Sequence, residues 1–93
     1  MKRKKRYKHA IINKKKYYFN TIKSLDITGD AGHKTKDEML KLPISKMITQ
    51  AYVIKKRKKV LITFSSYDET DEVFSDTNIF PMGCIVSMEK ILN

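Results

Sequence analysis

The amino-acid sequence predicts a mainly β fold (α+β) with about five strands and one short helix. Three observations lead to this prediction. Short runs rich in Ile, Val, Thr, Tyr and Phe alternate with polar turn segments. One central segment carries the signals of both a helix start and a helix stop. At 93 residues with 41% hydrophobic residues, the chain is long enough for a single modest core.

The first two apolar runs predict a β-hairpin. "YKHAII" and "YYFNTIKSLDI" are separated by the polar stretch "NKKK", which gives strands near 7–12 and 17–24. Asn13 suits the connecting turn because asparagine tolerates a left-handed backbone. We expect residues 1–6 to form a flexible basic tail and residues 7–93 to form one small β-rich domain.

The stretch "ITGDAGHKTKDEML" (27–40) predicts a turn that leads into a capped helix. Two glycines and Asp30 are typical of a turn. Thr35 and Glu38 have capping-box spacing, in which the hydroxyl accepts from one backbone N–H and the carboxylate from another. Pro43 is expected to stop the helix after about two turns.

The rest of the chain predicts a second hairpin and a final strand. "SKMITQAYVI" (45–54) and "KVLITFSS" (59–66) are β-rich, with "KKRKK" (55–59) at the tip between them. "YDETDEVFSDTN" is expected to be an acidic connection, and "CIVSMEKIL" the last strand, with Pro81 and Gly83 at its start. The predicted closure is a small, curved antiparallel barrel of the SH3, Sm or OB type.

The distribution of charge predicts an anionic partner. The net charge is +10, and residues 1–23 hold ten Lys or Arg and no acid, while residues 60–93 hold six acids and only Lys90. Seventeen of the twenty basic residues are lysine, which favours contact with phosphate over reading of base edges. The partner is a nucleic acid, a small phosphorylated ligand or the acidic 68–76 loop of another subunit. The alternative is that these lysines only keep hairpin tips soluble.

The candidate catalytic and metal-binding residues form no familiar pattern. They are His9, Asp26, Asp30, His33, Asp37 and Cys84. None of the spacings typical of zinc or calcium sites is present, so no metal and no cofactor are expected. A small ribonuclease that uses His33 or Asp30 is an alternative. Cys84, the single cysteine, fits a reducing compartment, and no apolar run approaches the ~20 residues of a membrane span. We therefore expect a cytoplasmic protein with no membrane partner.

Several stretches resemble a family of small, mostly uncharacterised tailed-phage (prophage) proteins. The resemblance covers about residues 18–92 and rests on "SLDITGDAGH", "KDEML", "ITQAYVI", "VLITFSS" and "IFPMGCIVSMEKIL". The family often has Trp where this chain has Ser24 and His33, and Gly where it has Ala51. The resemblance implies a phage origin, a small β-rich fold and a shared polar loop around Asp26, Asp30 and His33, and it brings no established activity.

These observations predict a non-enzymatic, phage-type binding protein that captures a phosphate-bearing nucleotide ligand, as a homo-oligomer with pockets between subunits. Such capture would sequester a host immune signal. The predicted ligand-binding residues are Lys14, Lys15, Lys16, Tyr17, Tyr18, Asp26, Asp30, His33 and Lys34. The alternative is a non-specific nucleic-acid binder, or an inhibitor of a host defence protein directed at nucleic acid. Its binding residues would be Lys2, Arg3, Lys4, Lys5, Arg6, Lys55, Lys56, Arg57, Lys58 and Lys59.

Overall fold

The computed structural model describes residues 6–26, 32–68, 70 and 73–93. Antiparallel β-structure dominates this part of the chain, which confirms the predicted mainly β class. The elements in chain order are β1 (His9–Ile12), β2 (Lys15–Asp26), α1 (Lys36–Leu40), β3 (Ser45–Lys56), β4 (Val60–Phe64), β5 (Ser66–Asp68), β6 (Val73–Ser75), β7 (Asn78–Pro81), a 3-10 turn (Met82–Cys84) and β8 (Ile85–Lys90).

The first hairpin has a two-residue turn. Asn13 and Lys14 connect β1 to β2 with φ angles of 49° and 66°. Positive φ at both central positions is typical of a type I′ turn, whose twist matches that of the strands. The predicted left-handed conformation of Asn13 is therefore observed, and Lys14 shares it.

Strand β2 is the central element because it pairs with three other strands. Residues 15–18 pair with β1, and residues 19–26 pair with β3. Residues 20–24 also pair with β8, with an irregularity between Lys23 and Ser24. The two ends of the described chain meet beside β2, since the Asn93 backbone N–H donates to the Arg6 carbonyl at 3.0 Å.

Helix α1 begins where the sequence predicts. Thr35 is its N-cap, and the Thr35 hydroxyl accepts from the Glu38 backbone N–H at 3.2 Å. The Glu38 carboxylate accepts from the Thr35 hydroxyl at 3.1 Å, whereas the sequence predicted that it accepts from a backbone N–H. The helix is a single exposed turn that ends before Pro43.

The predicted closed barrel is wrong, because the sheet is open. Its strand order is β1-β2-β3-β4-β7, and β8 pairs with the edge of β2 opposite β3, next to β1. Closure requires the last strand to return to a free edge at the far side of the sheet. Instead β8 pairs with the central strand β2. The chain also turns away at Ser65, so β4 does not continue along β3 past Tyr52 and Phe64.

The predicted acidic connection contains a second, two-stranded sheet. Strands β5 and β6 pair in register from Ser66–Ser75 to Asp68–Val73. Tyr67 and Phe74 lie opposite each other in this sheet, and both rings contact Phe64, with ring centroids 5.9 and 4.7 Å from its own. We call this group the aromatic cluster. Its members are Tyr17, Tyr52, Phe64, Tyr67 and Phe74.

The main sheet buries side chains on both faces. The aromatic cluster packs with Ala10 and Ile12 on one face. Strand pairing places Ile22 and Ala51 on the opposite face, where both side chains are fully buried. Leu61 and Thr63 of β4 are also inaccessible to solvent. The two cores are small, and the described chain leaves many large apolar side chains exposed.

Candidate functional site

Two basic turns lie at the same end of the molecule, which we call the basic end (residues 14–16 and 55–59). Strands β2 and β3 are antiparallel, with Phe19 opposite Tyr52. The start of β2 and the end of β3 therefore point the same way. Residues 14–16 begin β2, and residues 55–59 end β3 and form the turn to β4. All eight of these residues are basic and exposed. The fold thus places the two lysine clusters, residues 14–16 and 55–59, at the same end of the β2–β3 pair.

A groove separates the two strands at the basic end. Beyond Phe19 and Tyr52, β2 pairs with β1 while β3 pairs with β4, so the strands diverge. The resulting space, which we call the Tyr18 groove, has a volume of about 490 Å³. Residues of β2, β3 and β8 line it: Lys15, Lys16, Tyr17, Tyr18, Asn20, Val53, Ile54, Met88 and Lys90.

The Tyr18 ring lines this groove and lies close to cations and other rings. The Lys90 ammonium is 4.2 Å from the ring centroid, and the Lys16 ammonium is 6.0 Å away. The rings of Tyr7 and His9 meet Tyr18 edge-on, with centroids 6.4 and 5.9 Å distant. A ring flanked by ammonium groups combines a surface for stacking with charge for phosphate.

Hydrogen bonds hold the neighbours of Tyr18 in place. The Asn20 side chain is 4% exposed, and its Nδ2 donates to the Tyr18 carbonyl at 3.1 Å. His9 Nδ1 lies 2.8 Å from the Tyr7 carbonyl, which sets the orientation of the imidazole. A second groove, of about 520 Å³, adjoins the first, and Lys90 lines both. The Lys90 side chain therefore has access to two binding spaces.

The predicted ligand-binding residues separate into two groups. Lys14, Lys15, Lys16, Tyr17 and Tyr18 lie at the basic end. Asp26 is the last residue of β2, about 35 Å along the strand from Lys15. His33 and Lys34 lie in the connection between Asp26 and Ser45, which face each other at the end of the sheet opposite the basic end. Within one chain, therefore, Asp26 does not reach the Tyr18 groove.

Some of the other predicted binding residues are not among the residues that the structure describes. Lys2, Arg3, Lys4, Lys5 and Asp30 are outside the described residues. Arg6 is described, and its carbonyl accepts a hydrogen bond from the last residue. Arg6 therefore lies next to Asn93.

Lys90 and Asn20 were not among the residues predicted for the site, whereas Tyr7 was expected near it as a stacking aromatic. Lys90 reaches Tyr18 because β8 pairs with β2 and places Lys90 opposite Asn20. That pairing joins segments about seventy residues apart and has no local signal in the sequence. Asn20 carries a weak signal, since residues two apart on a strand share a face and Tyr18 was already a candidate.

The possible catalytic and metal-binding residues do not gather in the described chain. It contains no group of three or more His, Cys, Asp or Glu side chains placed to hold a metal ion. Cys84 is half-buried and lines a third groove, of about 350 Å³, with Ser24 and Asp26. No helix in the described residues has the length and apolar character needed to cross a membrane.

Comparison with known proteins gave no further information about this site. No protein-family model, curated protein or solved structure matches the chain significantly. The function is therefore inferred from the geometry and charge of the basic end.

Proposed function

We propose that this chain is a non-enzymatic binding protein that captures a phosphate-bearing nucleotide-type ligand in the Tyr18 groove. The observation that carries the proposal is the position of Tyr18 near both the Lys16 and the Lys90 ammonium groups, at an end with eight exposed basic residues. The lysines neutralise phosphate and the tyrosine stacks on the base.

Stacking of a base requires Lys90 to move. Its ammonium covers one face of the Tyr18 ring at 4.2 Å. Lys90 is exposed, and an exposed cation–π contact contributes only about 0.5–1 kcal/mol. Stacking of a base on an aromatic side chain contributes about 1–3 kcal/mol. The exchange therefore favours the base, and the displaced ammonium remains close enough to contact a phosphate.

The resemblance to tailed-phage proteins supports a biological setting for this binding. In an infected cell, a protein that holds a nucleotide without converting it withholds that nucleotide from host receptors. On this proposal the protein acts in the host cytoplasm as a counter-defence protein, by sequestering an immune nucleotide signal.

The first test is to titrate the protein with ATP and with inorganic triphosphate by calorimetry. Tyr18→Leu removes the ring and keeps an apolar side chain, so it should weaken ATP binding about tenfold or more and leave triphosphate binding nearly unchanged. Lys16→Gln and Lys90→Gln remove charge that both ligands use, so they should weaken both.

Lys23→Gln is the matched control because Lys23 is an exposed lysine on β2 that does not line the groove. It should bind both ligands as the unchanged protein does. Native mass spectrometry of protein purified from a bacterial host then identifies any retained nucleotide. If ATP affinity is unchanged in Tyr18→Leu, or if neither ligand binds at low salt, the proposal fails.

A second candidate function, binding of nucleic acid, is favoured by the shape of the basic end. Its eight cations extend over two turns on both sides of the groove, which is more charge than one small ligand needs. A polyanion that spans both turns releases counterions, so its affinity falls steeply with salt. A single-stranded oligonucleotide whose affinity falls steeply with salt, together with weak ATP binding, would favour this candidate.

A further inference from the structure

The first half of β3 has an unpaired edge. Residues 45–52 of β3 pair with β2 on one side. On the other side, β4 pairs only with residues 52–56, since the chain leaves β3 at Ser65. Within the described residues, no strand pairs with the outer edge of residues 45–51. Every second residue of this segment directs its N–H and C=O groups toward that open edge.

This edge lacks the features that usually prevent strands from pairing between molecules. Natural edge strands carry charges, prolines or bulges. Residues 44–51 contain no proline and one charge, Lys46. By contrast, β7 ends in Pro81, and β8 carries Glu89 and Lys90.

Exposed apolar side chains are concentrated in the residues that lead into this edge and begin it. Six of the large apolar side chains in residues 39–48 are between 40% and 75% exposed: Met39, Leu40, Leu42, Ile44, Met47 and Ile48. Covering such side chains removes apolar surface from water, which stabilises an assembly by about 25 cal/mol for each Å² of apolar surface buried. We call this surface, with residues 45–51, the apolar edge.

We propose that a second copy of this chain pairs with the apolar edge. Antiparallel pairing of residues 45–51 with the same residues of the second copy satisfies the open edge of both chains through one two-fold axis. It joins β2 and β3 of one copy to β3 and β2 of the other in a continuous sheet. When all of residues 45–51 pair in this way, the two-fold axis passes between the Ile48 residues of the two copies.

The charge distribution favours a second copy of the chain as the partner that pairs with this edge. The eight cations of the basic end would repel a second copy, but they lie at the opposite end of β2 and β3. With Ile48 at the axis, Lys46 of each copy faces Gln50 of the other, so the single charge of each edge does not face its equivalent. The arrangement leaves both Tyr18 grooves at the outer ends of the dimer.

Sedimentation velocity over a range of protein concentrations tests this proposal. The unchanged protein should sediment as a dimer, and Ile48→Lys should weaken dimerisation at least tenfold because it places charge at the two-fold axis. Val86→Lys is the matched control: Val86 is 58% exposed, similar to Ile48 at 68%, but lies on β8. It should remain a dimer.

Disulfide formation tests the register of the two strands. In a Cys84→Ser background, Ile48→Cys should form a disulfide-linked dimer under mild oxidation, since residues opposite each other on antiparallel strands have Cα atoms about 4.5–5.5 Å apart. Val86→Cys should not. A native protein that is monomeric at 100 μM (about 1 mg/mL), or a dimer disrupted by Val86→Lys and not by Ile48→Lys, would overturn the proposal.

Discussion

The Thr63 hydroxyl shows how a single buried atom affects stability. The Thr63 side chain is inaccessible to solvent, and its Oγ1 is the one buried side-chain N or O atom among the described residues without a hydrogen-bond partner. Burial of such a group costs about 1–3 kcal/mol. Valine has the same shape and no hydroxyl.

We therefore expect Thr63→Val to raise the free energy of unfolding by about 1 kcal/mol. Thr63→Ala is the control, because it also removes the hydroxyl but leaves a cavity, and it should lower the free energy of unfolding. Urea denaturation measures both variants. If Thr63→Val is less stable than the unchanged protein, the hydroxyl has a partner in solution.

At the scale of elements, the β5–β6 hairpin depends on two rings for its contact with the sheet. Phe74 packs against Phe64 and Tyr17, with ring centroids 4.7 and 6.0 Å apart. Its neighbour Val73 is 54% exposed. Adjacent residues on a strand point to opposite faces, so only one of the two side chains contacts the cluster.

Phe74→Ala should lower the free energy of unfolding by about 3 kcal/mol, because it removes the ring and leaves a cavity at Phe64. Val73→Ala should change it by less than about 0.5 kcal/mol, as expected for an exposed site. Denaturation midpoints measure both effects, and hydrogen exchange of β5 and β6 shows whether the hairpin detaches. Equal effects of the two substitutions would contradict the packing described.

The elements that could be predicted from sequence are those with local signals. The first hairpin follows from the "NKKK" turn, and α1 follows from Thr35 and Glu38. The β5–β6 hairpin was missed because its acidic residues are typical of a loop, while its structure depends on Phe74 and Tyr67 packing against Tyr17 and Tyr52, which are distant in sequence. The open sheet was missed for a similar reason, since pairing of β8 with β2 is a long-range choice.

The candidate site was predictable only in part, because some of its features have local signals in the sequence and others depend on long-range pairing. Lys14–Lys16 and residues 55–59 stand out as runs of charge. Their proximity follows from the antiparallel pairing of β2 and β3, which the sequence predicts only as two separate hairpins. The division between the Tyr18 groove and Asp26 follows from the length of β2, which extends to twelve residues.

At the scale of the whole molecule, positive charge is unequal between the two ends of the β2–β3 pair. The Cα radius of gyration is 17.5 Å, against about 12 Å for a compact domain of this length. The basic end contains eight cations and no acid, whereas residues 32–51 contain four lysines and two acids. The effect of a lysine on binding of an anionic partner should therefore depend more on its position than on its contribution to net charge.

Two matched triple variants test this expectation. Replacing Lys56, Lys58 and Lys59 by Gln should weaken binding of a single-stranded oligonucleotide about tenfold or more at low salt and reduce the salt dependence of binding. Replacing Lys36, Lys41 and Lys46 by Gln lowers the net charge equally and should have a much smaller effect. Fluorescence anisotropy at several salt concentrations measures both, and equal losses would mean that net charge alone governs binding.

The hydrogen bond between Asn93 and Arg6, beside β2, has a consequence for the connectivity of the fold. Asn93 donates to the Arg6 carbonyl, so an inserted linker of about five residues, with a reach of about 17 Å, is long enough to join Asn93 to Arg6 covalently. The turn at residues 57–59 is exposed and lies far from this junction along the chain. We expect a chain that is circularly permuted in this way, so that it begins and ends in that turn, to keep every strand pairing, although its strands would leave the ribosome in a different order.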